Sequence, residues 1–158
     1  VIAMSLNSKI LIIEDDENKL QNIMVLIQSE LKSTKISVAR SVKSAISKID
    51  EEQFDLIFAD MSLPTYEIQP HESGGTPRPF GGVEVFDYLE MSDILVPIIV
   101  ITSYPKLTDG TKSLNVRDLE KQLRLDYPQN FIGLVYFDTS VTDWESTVKS
   151  LINITMKE

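Results

Sequence analysis

Short apolar runs alternate along the chain with stretches in which apolar residues recur every three or four positions. The apolar runs predict five strands, at residues 9–13, 36–39, 56–59, 96–101 and 131–137. The run from Leu56 to Ala59 contains no polar residue, as expected of a strand that is buried on both faces of a parallel sheet. The pattern therefore predicts strands and helices in alternation.

The stretches between the runs predict helices. The first covers about residues 17–31 and carries one apolar stripe. That stripe consists of Leu20, Ile23, Met24, Ile27 and Leu31. Ser41 is a predicted N-cap of the second helix, further helices follow Gly81 and Val116, and residues 142–145 form a capping-box pattern before the last. Right-handed crossovers then predict an α/β fold, a doubly wound five-stranded parallel sheet with helices on both faces; the flavodoxin-like order 2-1-3-4-5 is expected by analogy.

Two segments show neither a continuous apolar run nor the helical spacing of apolar residues. Residues 65–80 contain three prolines, a glycine pair and the single histidine, His71, so they are predicted to form a long loop, and residues 104–114 a second one. We expect one domain over residues 9–156, preceded by an extension at 1–8 that is native or left from cloning. The first loop would cover the nearby strand ends, present a docking surface, or be a tolerated insertion, since long loops cost little closure entropy.

Composition excludes several classes of function. The formal net charge is −9, which argues against nucleic acid or an anionic membrane as a direct partner. There are no cysteines, hence no disulfides, thiolate zinc site or thiol nucleophile. No apolar run approaches the roughly 18 residues of a membrane-spanning helix, and a cytoplasmic protein is expected.

Polar residues follow three of the predicted strands. Asp60 ends the third strand, Glu14-Asp15-Asp16 follows the first, and Thr102 follows the fourth. A single aspartate after a strand would more often cap a loop. Two acidic clusters at two strand ends instead indicate a site, because the carboxyl ends of parallel strands meet at one edge, where open α/β sheets bind ligands.

These segments resemble the receiver domain of two-component response regulators. The matching stretches are residues 9–16, 55–64 and 97–102. The family has an acidic pair after its first strand, a phospho-accepting aspartate followed by x-x-Leu/Met-Pro after its third, and Thr or Ser after its fourth. Gly81 is similar to the glycine that opens the family's third helix. The resemblance spans nearly the whole chain and implies a phosphoprotein of phosphorelay signal transduction.

The resemblance implies a role for each matched residue. Asp60 would accept a phosphoryl group from a histidine kinase or phosphotransfer protein. Mg²⁺ would be held by Glu14, Asp15, Asp60 and the backbone carbonyl of Ser62, and Thr102 would contact the phosphoryl group. Asp16 would orient its neighbours or cap the first helix. Chemistry agrees with this, since a carboxylate can form an aspartyl phosphate, and Mg²⁺ favours oxygen ligands.

One expected feature is missing. The family has a Lys-Pro pair at the end of its fifth strand, whose ammonium contacts the phosphoryl group, whereas Phe137-Asp138 occupies that place here. Lys106 could reach inward from its loop to replace the lysine, or be a solvated loop residue. Tyr136 or Phe137 could act as the family's rotating aromatic, although core packing suits both.

Three functions follow. The first is a phosphorylation-operated receiver whose output is a protein–protein interaction with an unidentified downstream protein; it is not an enzyme, apart from self-phosphorylation and dephosphorylation at Asp60. The alternative is a pseudo-receiver, a phosphorylation-independent interaction domain, which the missing Lys-Pro pair favours. A Mg²⁺-dependent phosphatase or nuclease ranks last, because Ser62 stands where a second acid would be needed.

Overall fold

A computed structural model describes residues 6–67 and 77–156. Within these ranges it contains seven strands and five helices. The strands are β1 (Leu6–Ile13), β2 (Ser33–Ala39), β3 (Leu56–Ala59), β4 (Ile98–Thr102), β5 (Lys106–Asp109), β6 (Lys112–Asn115) and β7 (Phe131–Tyr136). The helices are α1 (Glu17–Glu30), α2 (Val42–Glu51), α3 (Gly81–Met91), α4 (Val116–Asp126) and α5 (Asp143–Met156). None of the helices in these ranges is long and apolar enough to cross a membrane.

Five strands form one parallel sheet in the order β2-β1-β3-β4-β7. The predicted fold class and order are confirmed, with β7 as the fifth strand of the sheet. Every residue of β3 and β4 is buried, which explains why these strands are apolar without alternation. Ile13 of β1 pairs with Ala59 of β3, so the two acidic segments begin side by side at the carboxyl edge.

The helices cover the sheet on both faces and bury a separate core on each. On one face, α1 and α5 pack against β1, β3 and β4; representative core residues are Leu20, Ile23, Ile12, Phe58 and Val148. On the other face lie α2, α3 and α4; representative core residues are Val42, Phe86, Leu119, Ile57 and Val100. The sheet is thus a buried middle layer that fixes the positions of its strand ends.

The predicted extension and the predicted second loop both contain strand residues. β1 begins at Leu6 rather than Lys9, so the described part of the predicted extension belongs to the sheet. Residues 104–114, predicted as a loop, contain the antiparallel hairpin of β5 and β6. Gly110 turns it with φ +64°, a conformation that glycine adopts without steric cost, and Leu107 is buried in the core beneath α4. The hairpin strands read KLTD and KSLN, with one apolar residue each, so neither an apolar run nor an alternation reveals them.

The loop at 65–80 is anchored at both of its described ends. Leu63 and Arg78 form an antiparallel bridge with two backbone hydrogen bonds of 3.1 and 2.9 Å. Glu67 accepts hydrogen bonds from the hydroxyls of Ser41 and Ser44, the capping box of α2. Residues 68–76, which include His71, lie outside the described residues, and the role of the loop stays a prediction.

Two glycines let α3 approach the end of β3. A Cβ atom on Gly82 would lie 2.5 Å from the carbonyl oxygen of Asp60, and one on Gly81 would lie 2.6 Å from that of Leu63. The Gly82 amide also donates to the Met61 carbonyl at 2.8 Å. Only glycine permits this approach, so α3 clamps the segment that carries Asp60.

Candidate functional site

Three carboxylates converge at the carboxyl edge of the sheet. Glu14 and Asp15 follow β1, and Asp60 follows β3; one oxygen from each lies within 4.8 Å of the other two. Glu14 is 1% exposed and Asp60 5%, whereas Asp15 is half-buried. The sheet holds the segment in place, since the Asp60 amide donates to the Ile13 carbonyl at 3.1 Å. The two acidic clusters that the sequence separates by more than forty residues form one group.

A buried lysine lies against this group. The Lys19 Nζ atom is 2.8 Å from Oε1 of Glu14 and 3.1 Å from Oδ2 of Asp60, and it donates to the carbonyl of Ile101 at 2.7 Å. Its side chain is only 2% exposed. An ammonium has three donor hydrogens, and these three acceptors account for all of them. Lys19 is therefore an internal counter-ion of the acidic cluster.

Backbone amides hold the remaining carboxylate oxygens of the two buried acids. Oδ1 of Asp60 accepts from the amides of Met61 at 2.7 Å and Ser62 at 3.3 Å, while Oε2 of Glu14 accepts from the Asp16 amide at 3.1 Å. Asp16 is exposed and caps α1 by accepting from the Lys19 amide at 3.1 Å. The two oxygens of Asp60 thus differ: Oδ1 is held by the backbone and Oδ2 faces the ammonium.

The cluster changes the proton affinity of its members. Burial, with a further contribution from Asp60, raises the pKa of Glu14 to about 8. The same two causes raise the pKa of Asp15. Burial alone would lower the pKa of Lys19, but the neighbouring Asp60 and Glu14 outweigh it and hold that pKa above its usual value. Lys19 is accordingly charged at neutral pH, whereas Glu14 keeps its proton until the pH approaches about 8.

A cleft of about 330 Å³ opens over the cluster. Its lining includes the four acids from Glu14 to Glu17, Lys19, Asp60, Ser62, Pro77, Ser103 and Tyr104. Lys19 is the one basic side chain among these lining residues. Thr102 is fully buried at the end of β4 and does not line the cleft, although the next two residues do; its Oγ1 accepts from the Tyr104 amide at 3.2 Å. The structure thus brings Glu14, Asp15, Asp60 and Ser62 into one cleft, with Thr102 immediately before the lining residue Ser103.

The end of β7 is apolar where a lysine was expected. Phe137 is buried with its ring 4.8 Å from that of Trp144, and its amide donates to the Thr102 carbonyl at 2.8 Å. Tyr136 is 41% exposed, and Asp138 accepts from Ser140 in the following turn. Lys106 is exposed on β5 and does not line the cleft. The cation of this site comes from α1 instead.

Comparison with known proteins identifies the family. The model of the response regulator receiver domain matches residues 10–120. The chain belongs to the response regulator receiver family. Receiver domains are signalling domains of two-component systems rather than enzymes, and they interact with histidine kinases or phosphotransfer proteins and with downstream proteins.

Two relatives cover most of this receiver. It is 30% identical over 131 residues to the Detocs response regulatory protein DtcB of Vibrio alginolyticus, covering 82% of this chain and 88% of that protein. It is 25% identical over 145 residues to the uncharacterized protein y4jR of Sinorhizobium fredii, and the match covers 90% of this chain and 95% of that protein.

Solved structures share the fold of this receiver. The phosphorylated cyanobacterial phytochrome response regulator RcpA has a TM-score of 0.65 at 14% identity, covering 94% of both chains. The Thermotoga maritima response regulator TrrA, solved in complex with Mg²⁺ and BeF, has a TM-score of 0.58 at 18% identity, covering 91% of this chain and 98% of that one.

Sequence reasoning missed Lys19, although the helix pattern contains a signal for it. Lys19 lies four residues before Ile23 and eight before Ile27, so it falls on the buried stripe of α1. It also lies in the first turn, where the helix dipole disfavours a cation. A lysine in that place indicates a buried anionic partner, and the acidic segment immediately before it supplies one.

Proposed function

We propose that this chain is a phosphorylation-operated signalling receiver that accepts a phosphoryl group on Asp60 from a histidine kinase or phosphotransfer protein, with Mg²⁺. One observation carries the proposal. The buried carboxylate of Asp60 has an oxygen within 4.8 Å of oxygens of Glu14 and Asp15, close enough for all three to bind one metal ion, and the three acids line an open cleft. Family membership supports the same conclusion. The output is a protein–protein interaction with a downstream protein.

The geometry favours one oxygen of Asp60 as the nucleophile. Oδ1 already accepts two backbone hydrogen bonds, whereas the partner of Oδ2 is a flexible side chain. In the reaction, Oδ2 forms a bond to phosphorus while the bond between phosphorus and the donor histidine nitrogen breaks, and the electron pair stays on the imidazole. Backbone amides keep Oδ1 in place, so the nucleophile is oriented before the phosphodonor arrives.

The residues of the cleft fit Mg²⁺. Glu14, Asp15 and Asp60 provide three oxygen ligands, and the Ser62 carbonyl would add a fourth. With Lys19 the cluster has a net charge of −2 when all three acids are ionised, which a divalent ion neutralises. Mg²⁺ prefers oxygen ligands and commonly binds through one or two carboxylates plus phosphate. When bound, it would offset the charge of the incoming phosphoryl group.

Auxiliary roles are proposed for two residues of the edge. Thr102, next to the lining residue Ser103, would contact the phosphoryl group once its hydroxyl leaves the Tyr104 backbone. Asp16 would keep α1 in position through its cap. Lys106 and Tyr136 are assigned no part in phosphoryl binding here, because both side chains are exposed outside the cleft.

Phosphorylation tests the proposal directly. The protein is incubated with Mg²⁺ and a small phosphodonor such as acetyl phosphate, and intact mass is compared with that of Asp60→Asn. We expect one added phosphoryl group on the wild type, none on Asp60→Asn, and none on the wild type when EDTA replaces Mg²⁺. A mass gain that persists in Asp60→Asn would exclude Asp60 as the acceptor.

A pseudo-receiver is the second candidate, favoured by the apolar end of β7 and by the ammonium already paired with Asp60. Such a domain would bind Mg²⁺ at most, would form no phosphoprotein, and would bind its partner equally well with Asp60→Asn. The mass experiment separates the two functions, because only the operated receiver gains the phosphoryl group.

A further inference from the structure

Lys19 is buried and contacts Asp60, the proposed phosphoacceptor, and this placement of a charged side chain requires an explanation. Its ammonium lies 3.1 Å from Oδ2 of Asp60, and its whole side chain, on the buried stripe of α1, is only 2% exposed. Burial of a lysine is unfavourable unless the charge is paired and its hydrogens are bonded. Here the carboxylate of Asp60 pairs the charge, and Glu14 and the Ile101 carbonyl accept the other hydrogen bonds, so any change at Asp60 acts directly on Lys19.

Phosphorylation would make that change. Once Oδ2 is bonded to phosphorus, Asp60 is an acyl phosphate whose carboxylate charge is gone, and about two negative charges reside on the phosphoryl oxygens instead. The ammonium then loses the anionic oxygen at 3.1 Å. In its place it gains the more highly charged phosphoryl oxygens, whose phosphorus is bonded to that same Oδ2 atom. Four flexible methylene groups allow Nζ to follow the charge. No other basic side chain lines the described part of the cleft.

We propose that Lys19 is the phosphoryl-binding cation of this receiver, delivered from α1 in place of a residue at the end of β7. The inference rests on Asp60 being the phosphoacceptor. In the resting protein Lys19 bonds Glu14, Asp60 and the Ile101 carbonyl; in the phosphorylated protein it turns to the phosphoryl oxygens. The bond to Ile101, directly before Thr102, links this exchange to the end of β4.

The proposal predicts that replacing Lys19 affects the affinities for Mg²⁺ and for a phosphoryl mimic differently. Lys19 shares oxygens of Glu14 and Asp60 with the metal, so Lys19→Met should leave Mg²⁺ affinity unchanged or raise it. The same variant lacks the bond to the phosphoryl group, so affinity for beryllofluoride, a phosphoryl mimic, should fall roughly ten- to a hundredfold, the range for a lost charge-assisted hydrogen bond. A merely structural lysine would lower both affinities.

The experiment uses Mg²⁺ alone and then beryllofluoride at saturating Mg²⁺, with binding followed by calorimetry. Lys19→Met and Lys19→Gln are compared with the wild type and with Lys106→Met, an exposed lysine of the same charge. We expect loss of beryllofluoride affinity in both Lys19 variants and none in Lys106→Met. Circular dichroism and the Mg²⁺ titration establish that each variant is folded.

The outcomes separate this inference from the proposed function. If the wild type binds no beryllofluoride, the proposed function fails and the inference with it. If the wild type binds and the folded Lys19 variants bind equally well, or lose Mg²⁺ and beryllofluoride together, Lys19 is not the phosphoryl-binding cation, while Asp60 remains the acceptor. Loss in Lys106→Met would assign the role to Lys106.

A structure of the wild-type adduct decides the point even if the Lys19 variants fail to fold. Lys19 Nζ within hydrogen-bond distance of a fluorine of the beryllofluoride group would support the proposal. Nζ still bonded to Glu14 and Ile101, with no contact to the adduct, would overturn it.

Discussion

Two regions of the carboxyl edge of the sheet, the middle at β1 and β3 and the outer strand β7, differ in how they are built. At β1 and β3, strand register brings three acids together, and backbone amides hold both buried carboxylates. At β7, the strand leads into an apolar contact between Phe137 and Trp144. The comparison indicates that the anionic half of a receiver site depends on the sheet, whereas its cation can come from another element. Here that element is α1.

The strongest way to test this contrast is to remove the apolar contact. Phe137→Ala should lower the free energy of unfolding by about 3–5 kcal/mol, as truncation of a buried phenylalanine does. It should leave Mg²⁺ affinity within about twofold, because Phe137 lines no part of the cleft. Urea unfolding and a Mg²⁺ titration measure the two effects.

Tyr136→Ala is the matched control for that variant. Tyr136 is the neighbouring aromatic and is 41% exposed, so its removal should change stability by no more than about 0.5 kcal/mol. A fall in Mg²⁺ affinity for Phe137→Ala larger than the change for Tyr136→Ala would mean that the end of β7 belongs to the metal site.

The acidic cluster should make the metal-free protein less stable as pH rises. Burial raises the pKa of Glu14 from 4.5 to about 8, so the folded chain holds a proton that the unfolded chain releases. Stabilisation is complete below pH 4.5 and is lost as pH rises through about 8, at no more than about 1.4 kcal/mol per pH unit from this one group. The raised pKa of Asp15 acts in the same direction. Asp60, Asp15 and Lys19 are the charged groups that face Glu14.

Urea unfolding at pH 5, 6.5 and 8 in EDTA measures this dependence. Glu14→Gln cannot ionise, so its stability should vary less over the same range, and saturating Mg²⁺ should flatten the slope of the wild type. Equal slopes for wild type and Glu14→Gln would show that the acidic cluster is not the source of the pH dependence.

Disturbing the close contact between α3 and the Asp60 segment should have a smaller effect on stability. A Cβ on Gly82 would lie 2.5 Å from the Asp60 carbonyl oxygen, a backbone atom that cannot swing aside. Gly82→Ala should therefore destabilise the fold by about 1–3 kcal/mol, as overpacking does, and weaken Mg²⁺ binding by shifting Asp60. Thermal unfolding and Mg²⁺ titration provide the test, and unchanged metal affinity would show that the segment moves without disturbing the cluster.

Local sequence patterns predicted the parallel sheet and the acids that its strand ends bring together. The apolar runs of β3 and β4 identify buried parallel strands, and acids directly after two such strands meet because register brings their ends together. The patterns could not reveal the hairpin, because each of its strands has a single apolar residue; Leu107 of β5 is buried in the core. Lys19 was missed although it falls on the apolar stripe of α1, because a charged residue on such a stripe is normally exposed at its edge. The local pattern points to the nearby Glu14 but not to Asp60, whose contact with Lys19 is tertiary.

The hairpin should matter least to the site, although it carries Lys106 and follows β4. Gly110 has φ +64° and a Cβ there would meet nothing within 4 Å, so Gly110→Ala should cost about 1 kcal/mol from backbone strain alone. Affinity for Mg²⁺ and beryllofluoride should remain that of the wild type, since no residue of β5 or β6 lines the cleft. Thermal unfolding and the same two titrations measure this. If Gly110→Ala lowered beryllofluoride affinity by more than its small loss of stability explains, the hairpin would contribute to phosphoryl binding, and α1 would no longer be the sole source of the cation.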